Sequence, residues 1–445
     1  MRSRVLPLLL IAVAGLGAEA PVAPAGPDLS ALGPARKAVV LPPPRYPALI
    51  LPAPAPARLA ACVPELASAP VDGRLVVATS NETARAAIAG SWALVRRAQD
   101  ALVWGTDAAG QAILVPVEQG LNHLDREGRL VDGYAAPRTF ARAGVGGPSL
   151  PGPVAIPDHL SLDSFFIAEE GTAFVDLAFG EGGALDAGHV FWRADTAGQA
   201  LGHLDLGGYV VIRGGPFCRA GRCVVAGEPR YTRDHTEHAW MLGPGAEAVE
   251  LILSPGDAWE AQTLVVGGVF YDLFVTEQGL HIARWDGQGW RAVGRIGEVA
   301  RFSAAADGAA LRLAWVPPEG PWRAGLLEGD HIGEVVALGG TSEADEVILA
   351  PGPEGLSLAV VTRHSENLYG PFPRDLTIVH HLAARLGWLG PDGEVSLAAP
   401  IALAGEHWPR SLVVAPFTQA GRTSWFVQGV EGPARLLRPE GCGRP

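Results

Sequence analysis

At 445 residues and a formal net charge of −13, with Lys37 as its only lysine, the chain lacks the clustered basic side chains that a phosphate backbone requires. Nucleic acid is therefore excluded as an expected partner, and the length admits one large domain or two ordinary ones. The scarcity of Lys and Asn is the composition of a GC-rich genome, which points to a bacterial source.

The first twenty residues read as a secretory signal peptide. Arg2 and Arg4 give a basic start, Val5 to Gly17 is almost wholly apolar, and Ala18-Glu19-Ala20 places small residues where a signal peptidase cuts. The apolar run falls short of the ~18–20 residues needed to cross a bilayer, so cleavage near Ala20 is expected rather than anchoring. No later stretch is long and apolar enough to span a membrane, and the mature protein is expected in the periplasm or outside the cell.

Residues 21–58 are dominated by Pro and Ala, as in "LPPPRYPALILPAPAPAR". Proline fixes φ and cannot donate to a ladder, which predicts an extended, poorly packed spacer in which only the apolar "YPALIL" docks on the domain. The main domain is expected over 59–445. Within it "ETARAAIAG" after Asn81 is the best short helical window. Elsewhere the pattern is β. In "TAFVDLAF", Val175, Leu177 and Phe179 alternate with Phe174 and Asp176, and "LRLAW" alternates through Leu311, Leu313 and Trp315. "LVVGGVFYDLFVTEQ", "LTIVHHL" and "SLVVAPF" are rich in β-branched and aromatic residues. Turn signals such as "DTAG", "WDGQG" and "GPDG" separate them at hairpin spacing.

Short sentences recur. "LNHLDREGRLV" from Leu121 and "LGHLDLGGYVV" from Leu201 agree at six of eleven positions, with weaker echoes from Leu280 and Leu386. "WGTDAAGQA" from Trp104 and "WRADTAGQA" from Trp192 agree at six of nine. Repeated strand–turn–strand units along an all-β chain resemble a secreted bacterial β-propeller, of roughly six or seven blades, with tandem β-sandwiches as the alternative. Spacings near 80 correspond to one blade with a long excursion or two blades of about 40. The resemblance implies that the first and last strands share a blade. "GRLVVAT" from Gly73 is the expected closing strand, beside "SWFVQGV".

Four cysteines in an exported chain point to disulfides. Cys218 and Cys223 flank "RAGR" and are expected to pair across a hairpin, leaving Cys62 and Cys442 to join the chain ends.

Signatures of common enzymes are missing: there is no G-x-S-x-G elbow, H-E-x-x-H helix, P-loop or calcium loop. No metal or cofactor is expected. The densest polar cluster is "RYTRDHTEH" from Arg230, in which Arg233, Asp234, His235 and Glu237 are the candidate ligand-binding residues. In an extended segment Arg233, His235 and Glu237 project to one side. His380 and His381 are neighbours on a strand and face opposite ways, and "TSEADE" from Thr341 is an acidic turn without the glycine spacing of a calcium site. The leading expectation is a binding or scaffold protein that recognises a protein or glycan through blade loops. A propeller hydrolase or lyase acting on an extracellular carbohydrate or ester is the alternative.

Overall fold

The computed structural model describes residues 36–68 and, with gaps, 235–441; between 83 and 229 it describes the strands alone. Every regular element among the described residues is a strand, so no helix there is long and apolar enough to cross a membrane.

Five sheets follow one another in chain order, each an antiparallel meander of four consecutive strands. Sheet I begins at Leu160–Ile167 and ends at Ala200–Asp205; sheet II runs from Val210–Arg219 to Ala248–Ile252. Sheet III comprises Glu260–Val266, Val269–Thr276, Gly279–Trp285 and Trp290–Ile296. Sheet IV comprises Arg301–Asp307, Ala310–Val316, Arg323–Glu328 and His331–Ala337. Sheet V runs from Glu346–Gly352 through the long hairpin Gly355–Tyr369 and Leu376–Leu389 to Glu394–Leu397. Sheet VI has Val413–Gln419, Arg422–Gln428 and Arg435–Glu440, and its fourth strand is the N-terminal Glu65–Ser68. The first strand of each sheet packs beside the first strand of the next. The first strands therefore line a common axis and the fourth strands face the rim. This is a β-propeller.

The alternation of side chains explains the packing. In Val269–Thr276, Tyr271, Leu273 and Val275 enter the core shared with sheet IV, whereas Phe270 and Phe274 enter the core shared with sheet II. A strand covered on both faces reads as a continuous apolar run, which is why "VFYDLFV" shows little polar alternation. Further cores fill the gaps between sheets IV and V and between V and VI. Polar side chains tie the innermost strands together: the Gln262 amide donates to the Ala304 carbonyl at 2.7 Å and accepts from its N–H at 2.9 Å. The Leu349 N–H donates to Ser303 Oγ at 3.0 Å.

From Arg36 onward the Pro-rich segment is extended, but instead of being a poorly packed spacer it pairs with the sheets. It runs round the rim as a belt. Arg36–Lys37 pairs in parallel with the fourth strand of sheet I, and Val39–Leu41 with that of sheet II. Ala48 bridges Arg295 on sheet III, Ala55–Pro56 pairs on sheet IV, and Arg58–Leu59 on sheet V. Proline lacks the N–H that would continue a ladder, so the contacts are short stretches between prolines, and the outer edge is where such strands are tolerated. The belt delivers the chain to sheet VI, which it closes.

Closure by an N-terminal strand was the expectation, but the strand is Glu65–Ser68 beside Arg435–Glu440; "GRLVVAT" lies outside the described residues. The helix expected after Asn81 is a strand, Thr83–Ile88, paired with Ser91–Arg96. Its alanines carry helix propensity, and pairing with a neighbouring strand overrides it. That hairpin packs beside the first strand of sheet VI. The echoes from Leu280 and Leu386 both fall on the hairpin between the third and fourth strands of a sheet. In the first of these, Asp286 Oδ1 accepts the N–H of Gln288 at 3.0 Å and Gly287 takes φ +96°, which is the turn that "WDGQG" encodes. The copy from Leu201 is not equivalent: it spans the exit from sheet I and the entry to sheet II.

Cys218 stands directly opposite Cys223 in the first hairpin of sheet II. No cysteine among the described residues is free.

Candidate functional site

Antiparallel meanders put two sets of loops on one end of the propeller: the turns between second and third strands, and the links from one sheet to the next. We call this the entry face, because each innermost strand begins there. A cavity of about 660 Å³ opens on it between sheets III and IV. Its walls come from the link before sheet III (Trp259), the Thr276–Gln278 turn, Arg295, the link from sheet III to sheet IV (Glu298) and Pro318.

Trp259 is half exposed, at 54%. Its indole N–H donates to the Ala300 carbonyl at 3.3 Å and its backbone N–H to Val275 at 3.2 Å, so the ring is held while one side stays open to solvent. Opposite it, an Arg295 guanidinium nitrogen donates to Gln278 Oε1 at 3.2 Å. Glu298 sits in the link with φ +52°, a left-handed conformation that costs a residue with a Cβ on the order of 1 kcal/mol.

The wall is braced from behind. Thr276 Oγ1 accepts the Gln278 N–H at 3.1 Å and shares a 3.0 Å hydrogen bond with His281 Nε2. The His281 ring stacks on Phe274 and meets Tyr46 of the belt edge-on at 4.7 Å. Burial, with Arg295 adding to it, lowers the His281 pKa to about 4, so the ring is neutral at physiological pH. Tyr46 donates to the Leu253 carbonyl at 3.0 Å, and burial raises its phenol above the usual range. Arg295 is held by the belt through its backbone, donating to Pro47 and accepting from Leu49 at 2.8 and 2.9 Å.

Beside Trp259, toward the axis, the first residues of three successive innermost strands converge: Glu260, Arg301 and Glu346. Arg301 lies 4.0 Å from a carboxylate oxygen of each glutamate and donates to the Asp345 carbonyl at 2.7 Å. Glu260 accepts the Phe302 N–H at 3.4 Å. Burial raises its pKa to about 7, against the opposing pull of Arg301 and that hydrogen bond.

No protein-family model matches the sequence, and no curated protein does. Among solved structures, the Aleuria aurantia lectin is 10% identical, covering 72% of this chain and 95% of its own, with a TM-score of 0.30. The α-L-arabinofuranosidase of Podospora anserina is 10% identical over 51% of this chain and 88% of its own, with a TM-score of 0.29. A prolyl endopeptidase is 11% identical over 69% of this chain and 46% of its own, with a TM-score of 0.38. At such identities and TM-scores the likeness carries nothing about activity.

Of the four residues singled out in "RYTRDHTEH", Arg233 and Asp234 lie outside the described residues. His235 is exposed, 2.9 Å from Glu228, whereas Glu237 is fully buried. Although they are two apart in an extended segment, they do not share an open site. Glu237 turns inward where its N–H donates to Ser254 Oγ at 2.8 Å and its carbonyl accepts from Leu253 and Ser254. The loop nonetheless reaches the entry face beside the cavity, since the His235 carbonyl accepts the Ala258 N–H at 2.7 Å, next to Trp259. His380 and His381 pair with Ser365 and His364 in the long hairpin of sheet V. In "TSEADE", Glu343 lies outside the described residues, and Asp345 and Glu346 are engaged by Arg301. No group of three or more metal-binding side chains occurs among the described residues.

Proposed function

We propose that this chain is an exported carbohydrate-binding β-propeller whose ligand lies in the cavity between sheets III and IV. The observation that supports this most is Trp259, a large aromatic left half exposed at the mouth of a cavity that carries charged and amide side chains. A sugar ring offers an apolar face to an aromatic and hydroxyls to the groups around it, and the cavity supplies both kinds of partner in Trp259 and in Arg295, Gln278 and Glu298. His235 is tied to this face through Ala258, and Arg233 and Asp234 are proposed as further ligand-binding residues. Trp259→Ala is expected to weaken binding to a neutral-glycan array at least tenfold, about 1.4 kcal/mol, without lowering the melting temperature. An array signal unchanged by the substitution would move the site elsewhere. The hydrolase alternative is followed on the same array by mass spectrometry of bound glycans, where cleaved products would favour it.

Export rests on the N-terminal signal and on the cysteines. We pair Cys218 with Cys223, which face each other in the ladder. We pair Cys62 with Cys442, because Glu65 and Glu440 are opposite one another in sheet VI and the chains continue in the same direction from there. Non-reducing peptide mapping is expected to recover these two links, and a Cys62–Cys218 peptide would refute the pairing. N-terminal sequencing of secreted material is expected to begin at Pro21.

A further inference from the structure

We infer that the binding site extends from the Trp259 cavity to the axis, and that Glu260, Arg301 and Glu346 form a second subsite for the next unit of a neutral oligosaccharide. The inference rests on the carbohydrate reading of the cavity and names the ligand's length and charge. Trp259 and Glu260 are consecutive, and both reach across to the start of sheet IV: the indole to Ala300 just before its first strand, the carboxylate to Phe302 within it. Trp259 therefore stands between the cavity on one side and the axial array on the other. A single ring on the indole would leave one of the two polar regions unused; a chain of two or three units engages both.

The side chains of the array are partly exposed, Glu260 at 27%, Glu346 at 33% and Arg301 at 39%. Its guanidinium is 4.0 Å from each carboxylate, beyond direct hydrogen-bond length. The array repeats one position in three adjacent sheets, the first residue of the innermost strand, where a purely structural pair would need only two. The charges select among saccharides. Glu260 and Glu346 flank Arg301, and the cavity is lined by Glu277 and Glu298 as well as Arg295. Carboxyl groups outnumber guanidinium groups in both regions, which disfavours uronates above about pH 7, where Glu260 is ionised, and suits neutral sugars, whose hydroxyls donate to carboxylates.

The test is calorimetric titration of the full mature chain with cello-oligosaccharides and N-acetylated chito-oligosaccharides of one to six units, and with oligogalacturonates. Affinity is expected to rise about tenfold from one unit to three, and Glu260→Gln and Glu346→Gln are each expected to remove most of that rise while leaving single-unit binding in place. Retained single-unit binding also shows that the variants are folded. Single-unit binding that depends on Trp259 but shows no gain with length would overturn the second subsite and leave the carbohydrate reading intact. Tighter binding of oligogalacturonates than of the neutral ladders would overturn the charge selection. If neither neutral ladder binds, the carbohydrate reading falls, and the subsite with it.

Discussion

Tyr46→Ala is expected to destabilise the protein by about 4 kcal/mol, a large part of the 5–15 kcal/mol that holds a typical domain together. The size follows from what the residue does. Its ring is the point at which the belt enters the propeller, packing edge-on against Phe274 at 5.8 Å and His281 at 4.7 Å in sheet III, while its hydroxyl donates to Leu253 at the end of sheet II. Removing an aromatic side chain from such a position costs about 3–5 kcal/mol, and the Leu253 carbonyl loses its partner as well. Tyr46→Phe removes only the hydroxyl and is expected to cost about 1 kcal/mol. Urea unfolding measures both, and limited proteolysis shows whether residues 36–60 are released first. Equal stabilities for the Ala and Phe variants would mean that the ring anchors nothing. Gly294→Ala offers an independent route to the same outcome, since a Cβ there would lie 2.5 Å from a Leu49 methyl and 3.1 Å from the Pro47 carbonyl, forcing the belt outward. Because Arg295 is held by that same stretch of belt, both variants are also expected to weaken ligand binding more than distant substitutions of equal cost.

The belt shows where sequence reasoning stops. Strands whose two faces are both covered, or which alternate cleanly, could be read directly: "TAFVDLAF" is Thr172–Phe179 and "LRLAW" lies within Ala310–Val316. Their signal is local, a period of two. The belt has no period. Its two- and three-residue pairings are set by the rim it meets, and its prolines argue against strand on every local criterion. The same holds for Thr83–Ile88, whose alanines point to helix until a partner strand is supplied. The repeats were visible, yet their alignment by resemblance placed a link between sheets, from Leu201, on a par with the hairpin from Leu280.

The site was legible to a lesser degree, for a related reason. "RYTRDHTEH" drew attention because its polar residues are adjacent in sequence, but adjacency let the fold bury Glu237 and expose His235. Glu260, Arg301 and Glu346 lie 41 and 45 residues apart and carry no motif. Only the register that makes each the first residue of an innermost strand brings them together. Trp259 gave a faint signal, as an aromatic just ahead of a strand and behind the turn-forming "SPGD".

The second large effect is concealed in the wild-type protein. His281 titrates at about 4 when folded and near 6.5 when unfolded. A base whose folded pKa is depressed contributes its full stability above the unfolded value and loses it as pH falls toward the folded one. Two and a half units correspond to about 3 kcal/mol, lost between pH 6.5 and 4. Glu260 acts in the opposite sense. Its folded pKa of about 7 lies above the unfolded 4.5, so its contribution is complete below pH 4.5 and disappears as pH rises through 7. The nominal size is again about 3 kcal/mol, reduced because the side chain is partly exposed. Over pH 4–7 the two nearly cancel, and the wild-type profile is expected to be shallow. Glu260→Gln removes one side of the balance, and its stability should fall by about 3 kcal/mol between pH 6.5 and 4 relative to its own value at pH 7. His281→Gln removes the other, and its stability should rise as pH falls from 7 to 4.5. Chemical unfolding at intervals across that range measures all three proteins, and groups common to them drop out of the differences. If Glu260→Gln follows the wild-type profile, the carboxyl at the axis is not held protonated by burial; if His281→Gln does, the ring behind the cavity is not held neutral.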